Sequence, residues 1–153
     1  SDLSWTPHVD RCTARLAQRI GALWRLRRCL THQSRVLYFK AIIMSDLMYG
    51  SNAFSPLLTA NQLDRLQVMQ NRAARAVFGL SHHTSARTLL LQLDTYRVSE
   101  IFRQKFIVLV WRSRNGHASS DLQALLVPSS AGPTRLHSTM GLRQPPVSTR
   151  FGK

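Results

Sequence analysis

Thr59-Ala60-Asn61-Gln62-Leu63-Asp64-Arg65-Leu66-Gln67-Val68-Met69-Gln70-Asn71-Arg72-Ala73-Ala74-Arg75-Ala76-Val77-Phe78-Gly79 carries both ends of one helix in its own residues. Thr59 followed three residues later by Gln62 is a capping box, in which each side chain reaches the other residue's backbone N–H. Gly79 stands where a helix closes in the left-handed region. Between them Leu63, Leu66, Ala73, Ala74 and Val77 recur at three-or-four spacing and predict one buried face, with Arg65, Arg72 and Arg75 away from it.

The same period extends outward. Thr6-Pro7 predicts a helix start, a cap hydroxyl with proline in the first turn. Val9, Cys12, Leu16, Ile20, Leu23 and Leu30 predict an apolar face running to about Leu30, with Arg11, Arg15, Gln18, Ala22 and Arg25 opposite. Thr31 caps a second helix through Val36, Leu37, Phe39, Ile42 and Ile43, expected to break near Ser45 and to stop at Gly50-Ser51-Asn52. Thr84 is expected to cap a short helix to about Leu93, and Asp94-Thr95 to end it. A longer helix follows to Asn115, stopped by Gly116. It is apolar almost all round (Val98, Ile101, Phe102, Phe106 to Trp111), so it is expected to be central or to pack on something outside the chain. Ser119-Ser120 opens one more turn through Leu126. Four of the six prolines fall from Pro128 onward, and 128–153 reads as an extended or disordered tail. No alternating pattern supports a sheet. The expectation is an all-α, irregular bundle of about five to six helices over 1–127 with that C-terminal tail.

The 21 Lys and Arg against 7 Asp and Glu give a formal charge of +14, and only Lys40, Lys105 and Lys153 are lysines. Such a surplus implies a polyanionic partner, and guanidinium groups, which fork onto phosphates and stack on bases, favour nucleic acid. Arg11, Arg15 and Arg25 form one stripe, with Arg19, Arg27 and Arg28 nearby. Helix turns rise about 5.4 Å, close to the spacing of phosphates on a strand. Arg72 and Arg75 form a second candidate set, either on phosphate or paired with the few acids. Among the tryptophans, Trp24 beside Arg25 is the best placed to stack on a base, whereas Trp111 reads as core.

Three stretches then resemble one family. Leu3-Ser4-Trp5 with His8-Val9, and Gly21-Ala22-Leu23 after them, are similar to the segment just past the polymerase palm of non-LTR (LINE-type) retrotransposon reverse transcriptases of the jockey-like and chicken-repeat-like kinds. Arg35, Leu37-Tyr38 and Ile42 to Tyr49-Gly50 resemble that family's next segment, with departures at Ser45 and Phe54. Leu66-Gln67 followed by Gln70-Asn71-Arg72-Ala73-Ala74-Arg75 and Gly79 resembles it most specifically. Weaker echoes run through Leu90, Phe102 to Gly116, and Arg143 to Lys153.

The resemblance implies a thumb and post-thumb region that holds RNA or DNA template–primer and docks on the remainder of the reverse transcriptase. It also implies truncation, with the palm and its paired aspartates before Ser1 and the family's pattern continuing past Lys153. No Asp-Asp pair occurs in the chain, so no two-metal polymerase centre and no catalysis are expected. His82-His83 has no thiol or carboxylate close in sequence except Asp94, and Cys12 and Cys29 lack zinc spacing, so neither a metal nor a cofactor is expected. The apolar runs are too short to span a bilayer and no leader opens the chain. The expected setting is intracellular, nuclear or cytoplasmic, with no membrane and no small-molecule ligand. A helical protein-interaction module is the alternative.

Overall fold

A computed structural model of the chain describes residues 5–125, with side chains through Gln123. The expected tail at 128–153, the opening Leu3-Ser4 and the echo at Arg143 to Lys153 lie outside the described residues. Helices and short connections make up everything described, and no strand occurs among those residues. The all-α class read from the periodicity is therefore the architecture that forms. The chain divides into two compact units with the boundary between Lys105 and Phe106.

In the first unit, α1 (Thr6–Leu26) buries Val9, Cys12, Leu16, Ile20 and Leu23, the face predicted for it. Thr6 is already helical rather than the cap, and its hydroxyl accepts a hydrogen bond from Gln62 Nε2 (3.1 Å). The helix ends four residues before Leu30. Leu26 O takes the N–H groups of both Cys29 and Leu30 in a tightened turn, because Thr31 must be extended to cap the next helix through Ser34 N (3.2 Å).

The second helical run is α2 (His32–Tyr38), a wider π turn (Phe39–Met44) and α3 (Ser45–Met48). The break expected at Ser45 does not occur, since Ser45 keeps right-handed helical angles (φ −61, ψ −45). The irregularity is absorbed earlier, where the π turn buries Phe39, Ile43 and Met44 together. Gly50 (φ 66) then separates α3 from α4 (Ser51–Phe54) and a 3-10 turn (Ser55–Leu57).

Helix α5 (Ala60–Phe78) has both ends as read: the Thr59/Gln62 capping box and Gly79 at φ 69. Leu80 N bonds Arg75 O (3.0 Å) and Gly79 N bonds Ala76 O (3.3 Å), the paired bonds of a Schellman close. After it, α6 (Ala86–Gln92) starts behind Ser85 with no side-chain cap, one residue later than a Thr84 cap would place it. Asp94 at φ 50 ends α6 in the left-handed region that glycine normally fills. α7 (Val98–Arg114) then begins with Glu100 Oε2 accepting from Arg97 N (3.0 Å).

Helices α1 and α5 run in the same direction. Thr6 meets Gln62 and Asp10 meets Arg65 at their starts, while the Arg27 guanidinium lies beside Gly79 at their ends. The run from α2 to α4 returns against them: His32 packs on Phe78 at one end, and Phe54 packs on Trp5 and His8 at the other. Met69, Ala73 and Ala76 continue the stripe of α5 that reaches α1. All are buried, and the alanines let the two backbones approach. Because the two helices are parallel, their partial negative ends coincide, and Arg25, Arg27 and Arg75 in or just past the last turns offset that charge.

In the second unit, the latter half of α7 is closed by Asn115 Nδ2 on Trp111 O (2.8 Å), by Ser113 Oγ on Leu109 O (2.9 Å) and by Gly116 at φ 76. The short α8 (Ser120–Leu125) follows. Trp111 is 56 % exposed and stacks near His117 (6.1 Å), so the core position expected for it is not what forms. On helix α7, Val98, Ile101 and Phe102 near the start and Ser113 near the end are buried; Phe106, Ile107 and Val108 are exposed. A helix that is apolar all round can cover only the sides that neighbours reach.

Candidate nucleic-acid interface

The expected arginines separate by helical phase. Residues advance about 100° around an α-helix, so each i to i+4 step rotates about 40°. Arg11 and Arg15 sit on the outer face of α1 and are exposed, as are Arg25 and Arg28 toward its end. One further step brings Arg19 to the edge of the apolar face. There its Nη1 donates to Ile42 O (3.1 Å) and lies 3.0 Å from Asp46 Oδ2. That carboxylate oxygen is buried and accepts no well-aligned hydrogen bond, so the contact is one of charge against charge. Tyr38 Oη donates to Arg19 O (3.2 Å) at the same junction. Arg19 thus joins α1 to the π turn and α3.

Arg27 lies with its guanidinium carbon 4.2 Å from the Trp24 ring centroid. That contact covers one face of the ring expected to stack on a base, and Trp24 is half-buried. Arg75 is likewise used inside the molecule, its Nε donating to Thr84 O (3.1 Å) across the α5–α6 turn. Arg72 is exposed, with neither an ion pair nor a hydrogen bond among the described residues. Of the eight candidates, then, Arg11, Arg15, Arg25, Arg28 and Arg72 face outward, and Arg19, Arg27 and Arg75 hold elements together.

Few acids offset this surface. Two ion pairs occur among the described residues, Arg19 with Asp46 and Arg65 with Asp10 (2.6 Å). Arg15 lies beside the Cys12 thiol; burial pushes that thiol above its ordinary value of 9.0, and Arg15 opposes the shift. Among the described residues, neither Arg11 nor Arg15 faces a carboxylate within ion-pair distance. An outer face of this composition can track a phosphate backbone, each neutralised phosphate releasing condensed counterions.

The motif Gln67, Gln70, Asn71, Arg72 does other work than its charge suggests. Gln67 Nε2 donates to Gln70 Oε1 (2.8 Å) and Asn71 Oδ1 (2.8 Å), and Gln67 Oε1 accepts from Val98 N (2.9 Å). Gln70 Nε2 donates to Tyr96 O (2.8 Å). Both glutamines are buried, and the bonds from Gln67 to Gln70 and Val98 are made away from water, where a lost partner is costly. They pin the backbone 96–98 that starts α7. Nothing local in the sequence announces this, because the partners lie 26 and 31 residues away.

The His82 and His83 ring centroids lie 3.8 Å apart, with the planes tilted by 40°, at the α5–α6 turn. Among the described residues no group of three His, Cys, Asp or Glu is placed to hold a metal. Likewise, no described helix is long and apolar enough to cross a membrane. Comparisons with protein-family models, with curated proteins and with solved structures find no match to this chain.

Proposed function

We propose that this chain is a non-catalytic, thumb-like piece of a non-LTR retrotransposon RNA-directed DNA polymerase that binds template–primer nucleic acid along the outer face of α1. The observation that carries this reading is the exposed ridge of Arg11, Arg15 and Arg25, with Arg28 beyond it, none of them paired with a carboxylate among the described residues. Arg72 on α5 adds to it. Arg19 and Arg27, first placed near the ridge, and Arg75, first set with Arg72, are left out because their guanidinium groups are engaged within the fold. The family reading rests on the sequence resemblance, above all on Leu66 to Gly79.

Duplex binding measured across a salt series tests the reading. Binding weakens steeply as salt rises, and each lost phosphate contact lowers the slope of log K against log salt by about 0.9. The triple variant Arg11→Gln/Arg15→Gln/Arg25→Gln is expected to flatten the slope by about 3 while the fold is kept. Binding that ignores salt, or a triple variant indistinguishable from the parent, refutes it.

A second reading has its own observation. Phe106, Ile107, Val108 and Trp111 are 42 to 56 % exposed along α7, a run suited to docking on another protein surface such as the remainder of a polymerase. A monomer that binds no hydrophobic dye removes its support.

A further inference from the structure

Away from the α1 ridge, a groove of about 470 Å³ opens between α5, α6 and the start of α7. We propose that it holds one unpaired nucleotide of a single strand, a site that rests on the nucleic-acid reading above and adds to it a second, chemically different contact. Asn71, Arg87, Leu91, Tyr96, Arg97 and Glu100 are the lining residues that matter. The volume lies within the roughly 300–1,000 Å³ of clefts that hold small ligands.

Rigidity comes first. Tyr96 O accepts from Gln70 Nε2, and two residues on Val98 N donates to Gln67 Oε1. Two buried amides therefore pin the backbone on either side of Arg97, yet Tyr96 itself is 57 % exposed. An aromatic left in solvent on a fixed backbone loses little freedom when a base stacks on it, and every base has a face to offer. Leu91, 69 % exposed on α6, extends the apolar wall.

Charge comes next. Arg87 and Arg97 are both exposed, and among the described residues neither guanidinium has an ion pair or a hydrogen bond. Glu100, the acid of the groove, already accepts from Arg97 N through Oε2, which leaves Oε1. Asn71 Oδ1 is taken by Gln67, which leaves its NH₂. The groove therefore presents two cations, an aromatic ring, one amide donor and one carboxylate acceptor. A nucleotide matches that set: phosphate to the guanidinium pair, base face to Tyr96, base edge to the amide and carboxylate. A paired duplex keeps its bases stacked inside, so the groove selects single strand. An acidic peptide supplies the anion but no ring for Tyr96.

The experiment titrates the full chain with labelled oligo-dT, oligo-U and a blunt duplex. Tyr96→Ala is expected to weaken single-strand binding about tenfold, and Tyr96→Phe to keep it. Arg87→Gln/Arg97→Gln weakens it further, with duplex affinity held within about twofold in each variant. Either oligo-dT or oligo-U binding in this pattern supports the site and reports its preference between DNA and RNA. Single-strand affinity unchanged in both Tyr96→Ala and the double arginine variant overturns the site while duplex binding still stands. Displacement by poly-glutamate or inorganic phosphate as effective as by a nucleoside monophosphate overturns it too. Loss of all nucleic-acid binding by the parent chain instead removes the function proposed for the α1 ridge.

Discussion

Gln67→Ala tests how the first unit is held together. In the parent, Gln67 joins three groups: it donates to Gln70 Oε1 and Asn71 Oδ1 and accepts from Val98 N. Asn71 is half-buried and can turn to water, but Gln70 and Val98 are each 1 % exposed. Two buried groups therefore lose a partner, each at about 1–3 kcal/mol, so the loss is about 2–6 kcal/mol. Against a typical total of about 5–15 kcal/mol, this lowers the urea midpoint substantially. The assay is urea unfolding followed by helical circular dichroism, with Gln18→Ala on the exposed face of α1 as control, expected within about 0.5 kcal/mol of the parent. Gln67→Glu refines it. A carboxylate there still accepts from Val98 but faces two acceptor oxygens, so burial and those oxygens raise its folded pKa above the unfolded value of about 4.3. Its contribution is then present below that value and is lost as pH rises through the raised one. Gln67→Glu should be relatively most stable in acid and weaken toward neutrality. If Gln67→Ala unfolds no earlier than Gln18→Ala, the clamp on 96–98 is not a stabilising element and the reasoning fails.

Three further outcomes concern Arg19, Cys29 and Cys12. Arg19→Gln leaves the mostly buried Asp46 without its cation and is expected to cost about 1–3 kcal/mol, whereas Arg11→Gln leaves the unfolding midpoint nearly unchanged; equal midpoints for the two variants contradict the division of the arginines by helical phase. Cys29 is exposed and Cys12 buried, so iodoacetamide should label Cys29 alone in the folded chain. Burial raises the Cys12 thiol, so its contribution to stability is intact below the ordinary 9.0 and falls as pH climbs through the folded value. Cys12→Ala should lack that alkaline loss; matching slopes for the two proteins in that range count against it.

The features read correctly from the chain are those whose cause is local. The Thr59/Gln62 box and Gly79 bound α5 because their partners lie within one helical turn. The apolar face of α1 follows from the period of the helix alone. The end of α1 at Leu26 and the smooth passage through Ser45 were misplaced because each depends on a neighbour: an extended Thr31 that must cap α2, and a π turn that brings Phe39, Ile43 and Met44 into one core. Trp111 was expected in a core because it lies in an apolar run, but burial is a property of what packs around a residue, and Trp111 is 56 % exposed.

The candidate site divides in the same way. By itself the order of residues determined that the chain is helical, that cations exceed acids threefold, and that α1 carries a basic face, since composition and the rotation per residue need no tertiary contact. Only the packed structure decided which arginines remain outside. Arg11 and Arg19 are the same residue type on the same helix, yet one meets water and the other meets Ile42 O and Asp46 from a segment more than twenty residues away. Gln67 and Gln70, polar letters on a polar-looking helix, became buried clamps for the same reason. A side chain's role is set by the dielectric and the partners around it, and those arrive only when distant parts of the chain meet.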